Sequence, residues 1–427
     1  MRVFSWLSDS ESSLRRRRSK SRKHLDSDNS ADSSTSSSPS DTGSSSLQSS
    51  LSLQTLPSVP SLQKIPSVNL NDAVSYSVVS SFRLRERNLP VSCLAVNGGV
   101  FIYSNMKREI SVYDRAMCAH LDTFNGQDSS SGSVKSVVFS AGKIFTAHQD
   151  GKIGVWKLTA TGGYKLLTTL PTLNDRLRRF ALPKNYVQVR RHRKRLWIEH
   201  ADAVTALAVN NGVIYSVSWD KTLKIWRASD LRCLESIKAH DDAVNAVAVS
   251  SNGTVYTGSA DRRIRVWAKP SQTPNAKRHV LVATLEKHKS AVNALALNDD
   301  GSVLFSGSCD RSILVWERED SSSYMSVTGA LRGHEKAILS LINVSDLLLS
   351  GSADRTVRIW RRGIDGRYNC LSVLTGHCKP VKSLTAVTEK DSDGVVSIVS
   401  GSLDGEVKLW RVSVTNPDCS FFSNLDL

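Results

Sequence analysis

YSVSWDKTLKIW (residues 215–226), GSADRRIRVW (258–267), GSCDRSILVW (307–316), GSADRTVRIW (351–360) and GSLDGEVKLW (401–410) are copies of one pattern, and their spacing decides the fold. Each contains Ser-x-Asp followed six residues later by Trp: Ser218, Asp220 and Trp226; Ser259, Asp261 and Trp267; Ser308, Asp310 and Trp316; Ser352, Asp354 and Trp360; Ser402, Asp404 and Trp410. A histidine precedes each aspartate by 20 to 27 residues, at His200, His240, His288, His334 and His377. A period of about 40 to 45 residues with Trp closing a strand implies propeller blades.

Working outward, FTAHQDGKIGVW (145–156) is a weaker copy, with Asp150 and Trp156 but His148 in the serine's place. A further step back, Tyr113 ends REISVYD with Lys107 at the aspartate position, a blade that keeps its strands and loses its polar signature. Each unit reads as four short strands, such as VTALAVN, GVIYSVS, TLKIWRA and RCLESIK, separated by turn signals. The expected fold is all-β, a single seven-bladed β-propeller over 74–415. SYSVVSSFRL (75–84) is expected to add an outer strand to the blade around Trp410. The repeated His, Ser, Asp and Trp are expected to form a structural relay, since a buried indole N–H and carboxylate need partners. They are not a hydrolase triad, which would occur once beside an oxyanion site. No catalytic residue, metal ligand set or cofactor is expected.

Residues 1–73 are Ser-rich with a basic run at Arg15–Lys23. They are expected to be disordered because so little apolar surface cannot offset the ordering entropy. SLQTLPSVPSLQ (52–63) reads as a docking peptide or a linker, and residues 416–427, with Phe421 and Phe422, form a C-terminal tail. Seven cysteines without a CxxC pair disfavour a disulfide framework or a zinc site and imply reduced thiols. The first residues lack a signal peptide's apolar core, and acids such as Asp9 and Glu11 argue against a transit peptide. With no apolar run of membrane-spanning length, a soluble intracellular protein is expected.

The net charge is +16 with a pI near 9.6, which favours acidic partners. The insertion between the second and third blades, 173–199, carries nine Lys or Arg against Asp175 and Glu199, a net +7. Its cations Arg190, Arg191, Arg193, Lys194 and Arg195 interleave with Phe180, Tyr186 and Trp197. That pattern suits an acidic peptide or single-stranded RNA, whereas YVQV and RLWI read equally well as strands lengthening a blade. On the loop face, Lys221, Arg262, Arg311 and Arg355 follow the turn aspartates, and Trp219 is expected to face solvent as an interface anchor.

The copies GSADRTVRIW, GSCDRSILVW and GSLDGEVKLW resemble WD40 repeats. ALPKNYVQVRRHRKRLWIEHADAV (181–204), CLESIKAHDDAVNAVAVS (233–250) and LVATLEKHKSAVNALAL (281–297) resemble the plant JINGUBANG-type WD40 proteins. The resemblance implies a non-catalytic plant regulator in nucleus and cytoplasm. Such a regulator binds partner proteins, a transcription factor or an acidic motif, on the loop face. RNA binding through the insertion is the alternative. The residues after the blade tryptophans, Lys157, Arg227, Ala268, Glu317, Arg361 and Arg411, give no W-D-x-R motif, which disfavours a ubiquitin-ligase adaptor. A monomer is expected, because a closed ring leaves no free edge, and no membrane partner.

Overall fold

The computed structural model describes residues 74–83, 89–106, 108–125, 132–160, 162–190, 193–270, 278–318, 325–363, 365–389 and 394–414. The Ser-rich tail, Lys107, Arg191, Leu84 and the C-terminal tail with Phe421 and Phe422 lie outside them. Among the described residues there are seven four-stranded antiparallel sheets and one two-stranded sheet. In chain order the blades span 94–124, 134–170, 204–238, 244–285, 292–331, 338–374 and 381–414.

Within a blade the strands pair in sequence order. In blade 3, Val204–Asn210 pairs with Val213–Ser218, then Thr222–Arg227, then Cys233–Lys238. The second strand is buried along its length (Ile214, Tyr215, Ser216, Val217 and Ser218), as are its counterparts Val303–Ser308 and Leu347–Ser352. This explains their near-continuous apolar and small residues, since both faces of an interior strand are covered by neighbouring blades.

Seven apolar clusters fill the seven gaps between neighbouring blades. Between blades 2 and 3, for example, Phe145, Val155 and Leu170 meet Val204, Leu207 and Trp226. Between blades 7 and 1, Val399, Val407 and Leu409 meet Val91, Leu94, Ile102 and Tyr113, so the circle is complete. The strand Val74–Arg83 supplies the outermost position of blade 7, antiparallel to Glu406–Val414, with Val78 opposite Trp410. The last blade is therefore built from both ends of the described chain, and the edge of Glu406–Val414 is covered.

The insertion is structured. A helix runs from Leu173 to Phe180, capped by Thr172, whose hydroxyl accepts from the Asp175 N–H. A short 3₁₀ turn, Pro183–Asn185, leads into a hairpin of Tyr186–Arg190 against Arg193–Leu196. YVQV and RLWI do not lengthen a blade: YVQV lies wholly in this separate two-stranded sheet, and RLWI leaves it after Leu196 for the core between blades 2 and 3. The flanking blades already have their four strands. Of the described helices, none is long and apolar enough to cross a membrane.

Candidate functional site

In blades 3 to 7 the polar relay assembles from three elements. In blade 3 the Trp226 indole N–H donates to Ser216 Oγ at 2.9 Å, and that oxygen lies 2.8 Å from His200 Nε2. His200 Nδ1 lies 3.1 Å from Asp220 Oδ2. The tautomer that satisfies every group has Nδ1–H donating to the carboxylate and Nε2 accepting from the hydroxyl. The same chain recurs through Trp267, Thr257, His240 and Asp261; Trp316, Ser306, His288 and Asp310; and Trp360, Ser350, His334 and Asp354. In blade 7, Trp410 and His377 share Ser400, and His377 Nδ1 stands 3.6 Å from Asp404.

The hydroxyl of the relay is thus not the serine expected from the sequence. Ser218, Ser259, Ser308, Ser352 and Ser402 instead accept from the backbone N–H of the aspartate two residues on, and donate to a carbonyl of the preceding loop. Ser216 and Ser218 lie on the same face of their strand, so alternation alone does not separate them. Register does: Trp226 pairs across with Ile214, which makes Ser216 its diagonal neighbour and leaves Ser218 beyond reach of the indole. In blade 2, Trp156 donates to Thr146, whose hydroxyl lies 2.7 Å from His148 Nε2, so His148 takes the imidazole's place and not the turn serine's. In blade 1, Ser104 takes the place of Ser216, diagonal to Tyr113, and its Oγ is buried without a hydrogen bond.

The aspartates also hold their turns, since Thr222 N–H donates to Asp220 Oδ1 and the next-loop N–H of Ala201 to Oδ2. Burial alone would raise these carboxyls. The imidazole and the N–H and O–H donors outweigh it, so Asp220, Asp310, Asp354 and Asp404 lie well below the usual carboxylate range and Asp261 falls to about 2. Burial pushes His200 down, against the opposing pull of Asp220. In blades 3 to 6 every member is spent on a neighbour within the ring, whereas His377 Nδ1 in blade 7 is buried without a hydrogen bond.

His377, Asp404 and Glu406 also come within 4.8 Å of one another. Glu406 stands where other blades carry Thr222, Ser312 or Thr356, and its carboxylate is engaged by Ser81 of the closing strand at 2.8 Å and by Lys408 at 3.4 Å. Buried thiols Cys93 and Cys233 are each pushed up to about 12 by burial, which makes them poor nucleophiles.

The turns place the expected surface cations. Lys221, Arg262, Arg311 and Arg355 share one backbone conformation with φ of 72 to 75°. Gly151 and Gly405 take that position in blades 2 and 7, and a Cβ at Gly405 would meet the Leu89 carbonyl oxygen at 2.8 Å. Arg262, Arg311 and Arg355 are exposed, whereas Lys221 is half-buried and spends its Nζ on the Asp241 carbonyl at 2.6 Å. Trp219 is half-buried, and its N–H donates to Ala203 O just as those of Ala260, Cys309 and Ala353 donate to Ala243, Ala291 and Ala337 in their own blades.

The insertion is clamped to blade 3. Asp175, buried, bonds to Arg179 and accepts from the Cys233 N–H at 3.2 Å. Arg179 stacks over Trp197 at 5.0 Å. Lys224, also buried, donates to Trp197 O at 2.5 Å and Ser236 Oγ at 2.6 Å. Cys233 opens the outermost strand at the end away from the Asp220 turn, since Thr222 pairs with Lys238 and Trp226 with Cys233. The helix therefore descends the rim beside blade 3 and does not lie on the loop face with the turn cations. Lys194 is exposed, and Arg195 is drawn in by the His200 carbonyl at 2.7 Å. Arg190 and Arg193 belong to the hairpin strands, and Arg191 lies outside the described residues. The helix went unforeseen although Thr172-x-x-Asp175 is a capping signal and Leu173, Leu177 and Phe180 have helical spacing.

A closed ring of seven antiparallel sheets, six of them latched by a buried indole–hydroxyl–imidazole relay, defines a β-propeller repeat protein. Residues 192–227, 231–268, 279–317, 325–361 and 368–411 each match the WD domain, G-beta repeat family, and the chain belongs to the WD40-repeat proteins. It is similar to Striatin-3 of Rattus norvegicus, 31% identical over 183 residues, 38% of this chain and 22% of that protein. It is also similar to an F-box/WD-40 repeat-containing protein of Arabidopsis thaliana, 30% identical over 133 residues, 31% of this chain and 23% of that protein. The chain thus spans less than a quarter of the length of either relative.

Proposed function

We propose that this protein is a non-catalytic scaffold that binds an acidic regulatory protein, such as a transcription factor, on the loop face of its propeller. The observation that carries the reading is the set of exposed cations Arg262, Arg311 and Arg355, presented at one turn position by three successive blades. A guanidinium held on a rigid turn recognises a carboxylate with little loss of side-chain freedom. Membership of a family whose propellers in general serve as scaffolds supports it. The likeness to JINGUBANG-type proteins and the plant relative favour a plant regulator in nucleus and cytoplasm, and the closed ring favours a monomer.

The test is a quantitative pulldown from nuclease-treated plant extract with the intact chain and with Arg262→Gln/Arg311→Gln/Arg355→Gln. Loss of captured proteins from a normally folded variant supports the reading. Unchanged capture rejects it, and capture abolished by nuclease alone assigns the surface to RNA.

A further inference from the structure

The helix Leu173–Phe180 is mounted with its polar side inward. Asp175 is 2% exposed and bonded to Arg179 and Cys233, whereas Leu173, Leu177 and Phe180, at helical spacing on one stripe, are 70, 55 and 56% exposed. A globular protein ordinarily buries such a stripe and exposes the acid. Beyond the helix Leu182, Tyr186, Val187 and Val189 are exposed as well, and the Tyr186 hydroxyl donates to Phe180 O at 3.0 Å, tying hairpin to helix. The assembly is rigid at its base, where Leu196 and Ile198 belong to the core between blades 2 and 3 and Lys224 holds Trp197 O. An exposed apolar patch on a preorganised base marks an interaction site.

Its rim fixes the charge of the occupant. The insertion carries two acids, and both are turned to cations of the insertion itself, Asp175 to Arg179 and Glu199 to Arg176 at 3.4 Å. Arg178, Lys184 and Lys194 stand exposed around the apolar residues. A second copy of the chain would bring like charge against like, and repulsion at a desolvating contact disfavours it.

We propose that the insertion is a docking site for an acidic amphipathic segment of a partner protein, whose apolar side lies on Leu173, Leu177 and Phe180 and whose carboxylates meet Arg178, Lys184 and Lys194. This deepens the scaffold reading by adding, on the rim, a second contact surface apart from the loop-face arginines. A segment bound in this way is read by a few apolar anchors at helical spacing.

The test uses the full chain and two labelled 15-residue peptides in fluorescence anisotropy, one with Leu at helical spacing among Glu, the other all Glu. The amphipathic peptide is expected to bind at least tenfold more tightly than the all-Glu peptide. Leu177→Ser/Phe180→Ser and, separately, Arg178→Glu/Lys184→Glu are each expected to weaken it at least tenfold, with the melting temperature unchanged because these side chains are exposed. Equal affinity for the two peptides, or for wild type and both insertion variants, overturns the proposal, and the loop-face reading then stands or falls on its own pulldown. Binding to phosphatidylserine-containing vesicles or self-association that Leu177→Ser/Phe180→Ser abolishes, in the absence of peptide binding, also overturns it in favour of a membrane or a second copy.

Discussion

Trp226 and Ser216 stand on neighbouring strands one diagonal step apart, and the 2.9 Å bond between indole and hydroxyl makes Ser216 the hub where Trp226 and His200 meet. Ser216→Ala removes that hub and leaves a buried N–H without its partner, at an expected cost of about 1–3 kcal/mol. Ser218→Ala removes one bond to the Asp220 N–H and is expected to cost about 1 kcal/mol. Urea denaturation of both variants checks the order, and a larger loss in Ser218→Ala would contradict the assignment.

Removal of the closing strand exposes the edge of Glu406–Val414 and the Trp410 blade with it. A chain beginning at residue 90 is expected to melt roughly 5–10 °C lower than one beginning at residue 71, a few kcal/mol in a domain of this size. Equal melting temperatures in scanning calorimetry would show that the strand is dispensable.

Asp175→Ala strips the insertion of its anchor and leaves Arg179 and the Cys233 N–H unpaired. The expected cost is about 3 kcal/mol, concentrated in the insertion. Limited trypsin digestion should then cut first within the Arg-rich hairpin, several-fold faster than in the wild type. An unchanged cutting pattern would mean that the clamp does not hold the insertion.

Acid acts in two stages. His200 has a folded pKa below its unfolded value of 6.5, so below that pH the unfolded chain takes up a proton that the folded chain refuses, and stability falls. The relay aspartates also have depressed folded pKa values. The stability they contribute is complete above the unfolded carboxylate range near 4 and is lost as pH falls through their folded values, about 2 for Asp261. Melting temperature is expected to decline gently from pH 7 to 5 and steeply below 4. A flat profile from pH 7 to 4 would contradict the His200 assignment.

The seven blades were legible because Trp, Asp and His repeat at fixed intervals, and the degenerate blade around Tyr113 could be counted once its neighbours were in register. The relay hydroxyl was not, because Ser216 and Ser218 share a face and only cross-strand register separates them; Thr257 in blade 4 breaks the identity but not the position. At the insertion, the density of Arg and Lys drew attention to charge. The informative residues were Leu173, Leu177 and Asp175, whose inverted burial depends on Cys233, 58 residues away.

Val78 and Trp410 face each other across the last sheet although 332 positions separate them in the chain. During folding the ring therefore stays open until Glu406–Val414 meets Val74–Arg83, and until then the last blade keeps an unpaired flank. Contacts between such distant residues form slowly, and a waiting sheet edge is a template for the wrong neighbour.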